Sequence, residues 1–460
     1  MLPFFRKFQQ KKESAGSFKN LLYHTAFTLT FTSGLSYALG LLRDRTFAQT
    51  FGASSTLDVY NAAFVVPDLF LAVFAVGALS AAFVPIFTQL DKENKEKAIT
   101  YTNQILNLCL IILVVVSGIF ALILPYVVDQ LVPGFSPEQQ HEYIHVTRLM
   151  LLSPLFFTLS NMFGNVLISL KEFLWYGLSP ALYNLGIIIG VLLFAPHFQT
   201  IGIVMGTILG AFLHLLVRVP SMIRYGYRPQ WTLGFTPAMK ETAWLMLPKI
   251  AQLAMWQLML WWFVRLTSQL PTGSTTIYSF ARNFQSVPVS LVGIAISLAA
   301  FAELSTAAAE KKYRKFGEII KSRGIKTAVY TGLAGGALAL FSYPVIKLLL
   351  GGGEFDETAI KATAMLLMVY TISIPFESGM HLLARAHYAL KNTQRPSLIH
   401  VSTIAVTMGV SAMLLDKVGL YAIPIGFTSG LVIQIGLLTI SLYQLLRSKS
   451  LKAKLEALAE

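Results

Sequence analysis

The chain has 460 residues, of which 55% are hydrophobic and only 13% charged, where an ordinary soluble domain carries roughly a quarter charged residues. So few charges cannot cover a water-facing surface, and a mean hydropathy of +0.62 excludes the disordered, collagen-like and disulfide-framework classes as well. Lys and Arg number 36 against 22 Asp and Glu, a net charge of +14; in a membrane protein that excess belongs to loops and requires no nucleic acid. Cys109 is the only cysteine, so there is no internal disulfide and no thiolate zinc cluster.

A spanning helix needs about 20 mostly apolar residues. Twelve such segments follow one another, beginning near residues 21, 60, 100, 146, 173, 199, 243, 277, 325, 363, 396 and 419. A basic, polar stretch, 1–20, precedes them. Segment one, Leu21 to Leu42, is too long for a signal-peptide apolar region and no small-residue cleavage site follows, so it reads as a retained helix. It is polar for a span (His24, Thr25, Thr28, Thr30, Thr32, Ser33, Ser36) and ends in Arg43-Asp44-Arg45. Asp58 and Asp68 lie in or beside segment two, where Pro67 is expected to break the helix. His141-Glu142-Tyr143-Ile144-His145 leads into segment four. Lys249 and Arg265 lie in segment seven, Arg282 and Asn283 in segment eight, and Glu377 with His381 in segment ten. Gly351 to Gly353 read as a turn ending segment nine, because no Gly-Lys-Ser/Thr follows to make a phosphate loop.

Cations gather in alternate gaps. Lys92, Lys95 and Lys97 follow segment two, Lys171 follows four, and Arg224, Arg228 and Lys240 follow six. The cluster from Lys311 to Lys326 follows eight, Lys391 and Arg395 follow ten, and Arg447 to Lys454 close the chain. The gap 127–147 has no Lys or Arg, and gap one, with Arg43 and Arg45, departs from the alternation. The positive-inside rule then predicts that both termini are cytoplasmic.

The halves resemble each other at a shift of roughly 216–221 residues. Ser153 to Lys171 (SPLFFTLSNMFGNVLISLK) matches Ile374 to Lys391 (IPFESGMHLLARAHYALK), and Pro180 and Pro396 open the helices that follow. Six helices per half make the repeats parallel, a construction in which transporters bind substrate between halves and alternate access by rocking. The expected organisation is all-α and polytopic: lobes 21–224 and 243–446 around a central cavity, a cytoplasmic linker 225–242, and a tail 447–460. Charge inside a membrane is costly and faces a cavity or a partner. Arg43 and Arg282, aided by Lys249 and flanked by Asn283, are expected to line that cavity and grip an anion, above all a phosphate, which arginine holds bidentately. Asp44 and Asp58 are expected to orient those arginines, while Arg45 and Arg265 read as snorkelling residues at the outer interface.

Leu39-Gly40-Leu41-Leu42-Arg43-Asp44, Phe51-Gly52-Ala53 followed by Asp58, Gly77 to Pro85 (GALSAAFVP), Pro133-Gly134-Phe135, Ser179 to Ile188 (SPALYNLGII) and Tyr388 to Pro396 (YALKNTQRP) together resemble the MurJ (MviN) lipid II flippases of the multidrug/oligosaccharidyl-lipid/polysaccharide exporter superfamily. The resemblance implies movement of undecaprenyl-pyrophosphoryl disaccharide-pentapeptide from the inner to the outer leaflet of the bacterial cytoplasmic membrane for peptidoglycan assembly. It also implies essential cations in a central cavity, and by position it places Arg43, Asp44 and Asp58 on family motifs. The chain departs from the pattern at Tyr37 and Ala72, where the family has arginines, at Arg282-Asn283, where it reads Asp-Arg, and at Ser286, where it has an acid. Segment seven offers no acid for a sodium site of the kind some relatives have. The family also usually carries two further helices that help form a groove for the lipid tail, whereas the segments here stop at twelve.

The expected function is therefore a monomeric lipid II flippase, without enzyme activity or cofactor, whose coupling ion and contacts with the cell-wall synthesis machinery stay open. A sibling exporter that flips another polyprenyl-linked saccharide or expels drugs is the runner-up, favoured by the departures. From another class comes a membrane zinc metalloprotease, because His141, Glu142 and His145 fit H-E-x-x-H; no clear third ligand lies near it.

Overall fold

The computed structural model describes residues 18–73, 77–234 and 236–459; the expected N-terminal segment therefore lies outside the described residues up to residue 17. In hydrocarbon every backbone donor and acceptor must be bonded internally, which a helix achieves within one segment. Among the described residues the chain is accordingly helical, with one isolated bridge between Gly352 and Phe355.

The first half comprises α1 (Phe18–Phe51), α2 (Ser55–Leu71), α3 (Gly77–Glu93), α4 (Lys95–Leu131), α5 (Pro137–Met150), α6 (Ser153–Ser169), α7 (Phe173–Ile189), α8 (Ala195–Leu216) and α9 (Val219–Tyr225). The second comprises α10 (Pro237–Thr267), α11 (Ser274–Pro288), α12 (Ala295–Ala309), α13 (Tyr313–Leu340), α14 (Ser342–Leu349), α15 (Glu357–Tyr370), α16 (Ser373–Ala389), α17 (Gln394–Val418) and α18 (Ala422–Ala459). By length and composition five continuous helical stretches among the described residues can cross a bilayer. They become seven when the bent pairs α13–α14 (69°) and α15–α16 (43°) each count as one span.

The repeat is visible in local geometry. α6 and α16 each have 17 residues and a proline in the first turn, and each leads into a lysine with left-handed backbone, Lys171 and Lys391, both at φ 60°. A π-type turn follows α2 at Ala72 and α11 at Val289, positions that the repeat aligns. α1 packs along α7 and α7 along α8, as α10 packs along α17 and α17 along α18.

Two expectations need correction. Pro67 does not break α2, which runs on to Leu71. A proline deletes one rung of the hydrogen-bond ladder, but Val66 and Phe70 on either side pack against Leu113 and Leu151 and hold the helix in place. Nor does α1 end at Leu42; it continues to Phe51, so Arg43 and Asp44 sit on a helical face rather than at a frayed end.

The halves meet at one end in a dry seam, where Phe47, Leu57 and Tyr60 join one buried cluster with Met259, Phe263 and Tyr278. Backbones touch there. A Cβ on Gly134 would lie 2.1 Å from the Ser268 carbonyl oxygen, and one on Gly353 (φ 56°) would lie 2.2 Å from that of Gln49. Gly134→Ala is therefore expected to cost about 1–3 kcal/mol through overpacking, read as a lower thermal midpoint of the purified protein; an unchanged midpoint would mean that the seam yields freely.

At the other end the linker is strapped to the first half. The Asn103 side chain donates to the Arg228 carbonyl (2.9 Å) and accepts from the Tyr227 hydroxyl (2.5 Å) and the Gln230 N–H (3.2 Å). Asn107 donates to the Gln230 and Thr232 carbonyls (2.8 and 3.0 Å). Thr242 bonds the Tyr101 hydroxyl (2.7 Å), so α10 begins against the first half and ends inside the second.

Candidate functional site

The last turns of α1 bring Arg43 and Asp44 to the seam. Arg43 folds back along its helix: Nε and Nη2 both donate to Oδ1 of Asp44 (3.0 and 2.7 Å), and Nη1 donates to Oδ1 of Asn184 on α7 (3.0 Å). Asn184 in turn donates to the Ser36 carbonyl (3.2 Å), locking α7 to α1. The second oxygen of Asp44, Oδ2, accepts from Nδ2 of Asn283 on α11 (3.1 Å). One buried carboxylate thus joins a cation of the first half to an amide of the second. A guanidinium has five N–H groups; two of Arg43's have no acceptor among the described residues, and its side chain is 24% exposed.

Asp58, in the first turn of α2, contacts neither arginine. Its carboxylate accepts from the backbone N–H groups of Gly273 (2.6 Å) and Thr276 (2.8 Å) and from the Thr276 hydroxyl (2.8 Å). The first N–H groups of a helix have no partner within it. Gly273, at the cap of α11, has no side chain to supply one, so Asp58 caps that helix from the opposite half.

Arg282 takes a different acid. Its Nη2 and Nη1 donate to the two oxygens of Glu377 on α16 (3.0 and 3.2 Å), a bidentate pair. Its Nη1 also donates to Gln285, and the guanidinium lies over the rings of Phe427 (4.9 Å) and Trp256 (5.9 Å). Every one of these partners belongs to the second half. Successive helix residues point about 100° apart; Asn283 faces the seam, so Arg282 turns into its own bundle.

A family model for the lipid II flippase MurJ matches residues 47–459. The chain belongs to this family. A probable lipid II flippase MurJ from Bdellovibrio bacteriovorus is 27% identical over 414 residues, covering 86% of this chain and 77% of that protein. Its counterpart from Thermotoga maritima is 28% identical over 395 residues, with 84% and 79% covered. The lipid II flippase MurJ of Burkholderia cenocepacia is 26% identical over 404 residues, with 85% and 77% covered. Among solved structures, a lipid II flippase MurJ in an inward closed conformation is similar with TM-score 0.79 at 22% identity, over 93% of this chain and 90% of that one. An inward-facing MATE family multidrug resistance transporter of the MOP superfamily is similar with TM-score 0.71 at 12% identity, over 90% and 95%. At such identities the likeness speaks for the fold.

In this MurJ family member the remaining candidates are spread out. Lys249 lies on α10, and its side chain lies outside the described residues. Arg45 donates to the Leu348 carbonyl across the seam (2.9 Å), and Arg265 lies over the Trp262 ring (5.9 Å). His141 and His145 are exposed neighbours on α5, ring nitrogens 3.2 Å apart, while Glu142 accepts from Thr200. No group of three His, Cys, Asp or Glu among the described residues is placed to hold a metal ion. The sequence reading missed two partners, Asn184 and Glu377. An acid inside segment ten was visible, but nothing in the chain order couples it to Arg282.

Proposed function

We propose that this chain is a lipid II flippase, carrying the undecaprenyl-pyrophosphate-linked peptidoglycan precursor from the inner to the outer leaflet of the bacterial cytoplasmic membrane as a monomer. The lobes 21–224 and 243–446 alternate access, with the linker 225–242, the tail 447–460 and both termini in the cytoplasm. The observation that carries the reading is the Asp44 carboxylate, bonded to Arg43 on one side and to Asn283 on the other. A diphosphate approaching Arg43 meets guanidinium N–H groups that have no acceptor among the described residues, and its charge competes with Asp44 for the cation. Repulsion then weakens the Asp44–Asn283 link, so headgroup binding and loosening of the seam are one event. A ligand shifts such an equilibrium only by binding one state more tightly, and this link supplies the difference. Asp58 holds the seam shut from the other side, Lys249 assists the headgroup, and Arg282 positions α11 and its Asn283 through Glu377. An inside-negative potential favours outward movement of an anion by about 2.3 kcal/mol per charge per 100 mV. No bond of the substrate is made or broken, so the reading requires no enzymatic step and no cofactor.

Expression in a strain depleted of its own lipid II flippase is expected to restore growth, and Arg43→Ala to abolish that rescue at equal membrane abundance. A wild type that fails to rescue but moves another polyprenyl-linked saccharide in vesicles would transfer the reading to a sibling exporter. Undiminished translocation by Arg43→Ala would leave the fold without this site.

A further inference from the structure

α1, α6, α7 and the end of α8 enclose a second polar place in the first half, a cavity of about 370 Å³, inside the roughly 300–1,000 Å³ range of small-ligand pockets. Ser33, Tyr37, Asn161, Tyr176, His214 and Arg218 contribute its polar lining. Arg218, at the junction of α8 and α9, is 2% exposed. Its Nε donates to the Ser179 hydroxyl (2.7 Å), Nη1 to the Ser160 carbonyl and Nη2 to the Tyr176 carbonyl (3.5 Å), with the guanidinium over the Tyr176 ring (5.1 Å). Gly164 makes the seat: a Cβ there would lie 2.4 Å from Nη1.

Every one of those partners is neutral. Arg43 and Arg282 each have a carboxylate, whereas Arg218 has none within ion-pair distance among the described residues. A buried charge without a counter-charge is costly, and this one borders an open cavity. Asn161 and Tyr37 add side-chain polar groups with no protein partner among the described residues.

We propose that this cavity is an anion subsite in which Arg218 receives the phosphate end of the lipid-linked substrate before Arg43 does. The proposal rests on the flippase reading above. Both arginines are mounted on α7, Arg218 through Ser179 and Arg43 through Asn184, and five residues of helix rise about 7.5 Å. Ser36, whose carbonyl accepts from Asn184 beside Arg43, lines the same cavity, so the cavity extends towards Arg43. Tyr37 of α1 lines it too, and the cation there is Arg218, from the junction of α8 and α9. The phosphate of an anionic membrane lipid carries the same chemistry, and the test separates the two sources.

The full-length protein in phosphatidylcholine nanodiscs is titrated with undecaprenyl pyrophosphate and, separately, with phosphatidylglycerol. Arg218→Gln is expected to weaken undecaprenyl pyrophosphate binding at least tenfold. Asn161→Leu, which fills the cavity without touching the bonds of Arg218, is expected to do the same and decides alone if Arg218→Gln does not fold. Cavity variants that keep wild-type affinity while Arg43→Ala loses it refute the subsite and leave the flippase reading standing. Variants that lose only phosphatidylglycerol binding likewise refute it, assigning the cavity to bulk lipid. A wild type that does not bind undecaprenyl pyrophosphate overturns both.

Discussion

Glu377→Leu is expected to destabilise the protein by about 3–5 kcal/mol, the cost of leaving one partner of a buried ion pair alone. Glu377 is 5% exposed, and its two oxygens accept from both terminal nitrogens of Arg282 and from Gln285 (2.9 Å). Without it the guanidinium, which cannot shed its proton in a protein, is left between Phe427, Trp256 and one amide. Gln285 keeps its bond to the Ser373 hydroxyl (2.9 Å), so the loss falls on the cation. Replacing both charges, Arg282→Leu with Glu377→Leu, is expected to recover most of the stability, because apolar side chains often substitute for a buried pair at little net cost. Thermal unfolding of the wild type, Glu377→Leu, Arg282→Leu and the double variant in one detergent gives the coupling, and a single Glu377→Leu variant as stable as wild type would mean that water already reaches the pair. The folded double variant is also expected to translocate substrate, since the paired leucines would pack α11 on α16 and keep Asn283 in place without the ion pair. Lost translocation there would return Arg282 to the substrate path.

The helical, membrane-spanning character of this chain was legible because it follows from local quantities: too few charges for a wet surface, apolar runs of spanning length, and cations in alternate gaps. The repeat and the Arg43-Asp44 pair were legible for the same reason, being patterns of neighbours in sequence. What escaped were pairings between helices that are remote in the chain. An aspartate in the first turn of a helix reads as a partner for nearby arginines, and nothing in α2 announces that Asp58 instead caps α11, 215 positions later. The one-place shift at Arg282-Asn283 was visible as a rotation, yet which residue lay on the side to which the arginine turned depended on α16 packing behind it. Arg218 sits just beyond an apolar run, where a cation reads as part of a cytoplasmic loop; burial beneath α6 and α7 is a tertiary fact. Pro67 misled for the converse reason, since packing of Val66 and Phe70 overrides the local penalty.

Asp58→Ala should act on the balance between states as well as on stability. Removing the carboxylate leaves two backbone N–H groups at the start of α11 facing a dry interface, at about 1.5–3 kcal/mol for bonds to a charged acceptor. It also removes a negative charge from a helix N-terminus, where the dipole favours one. Acceptor and donors lie in opposite halves, so the loss is felt only while the seam is closed. At about 1.4 kcal/mol per factor of ten, the closed-to-open ratio falls roughly 10–100-fold. Asp58→Asn keeps one acceptor oxygen and is expected to fall between the two. Spin labels at Glu138 and Lys361, one on each half, in a Cys109→Ser background, would report a new population at longer distance. An unaltered distance distribution with an unaltered thermal midpoint would remove Asp58 from the seam. Translocation is expected to slow even as the seam opens more readily, because a carrier must return to the state in which this end is shut and the substrate-loading end is free to open. A seam that cannot reclose strands the protein halfway through its cycle.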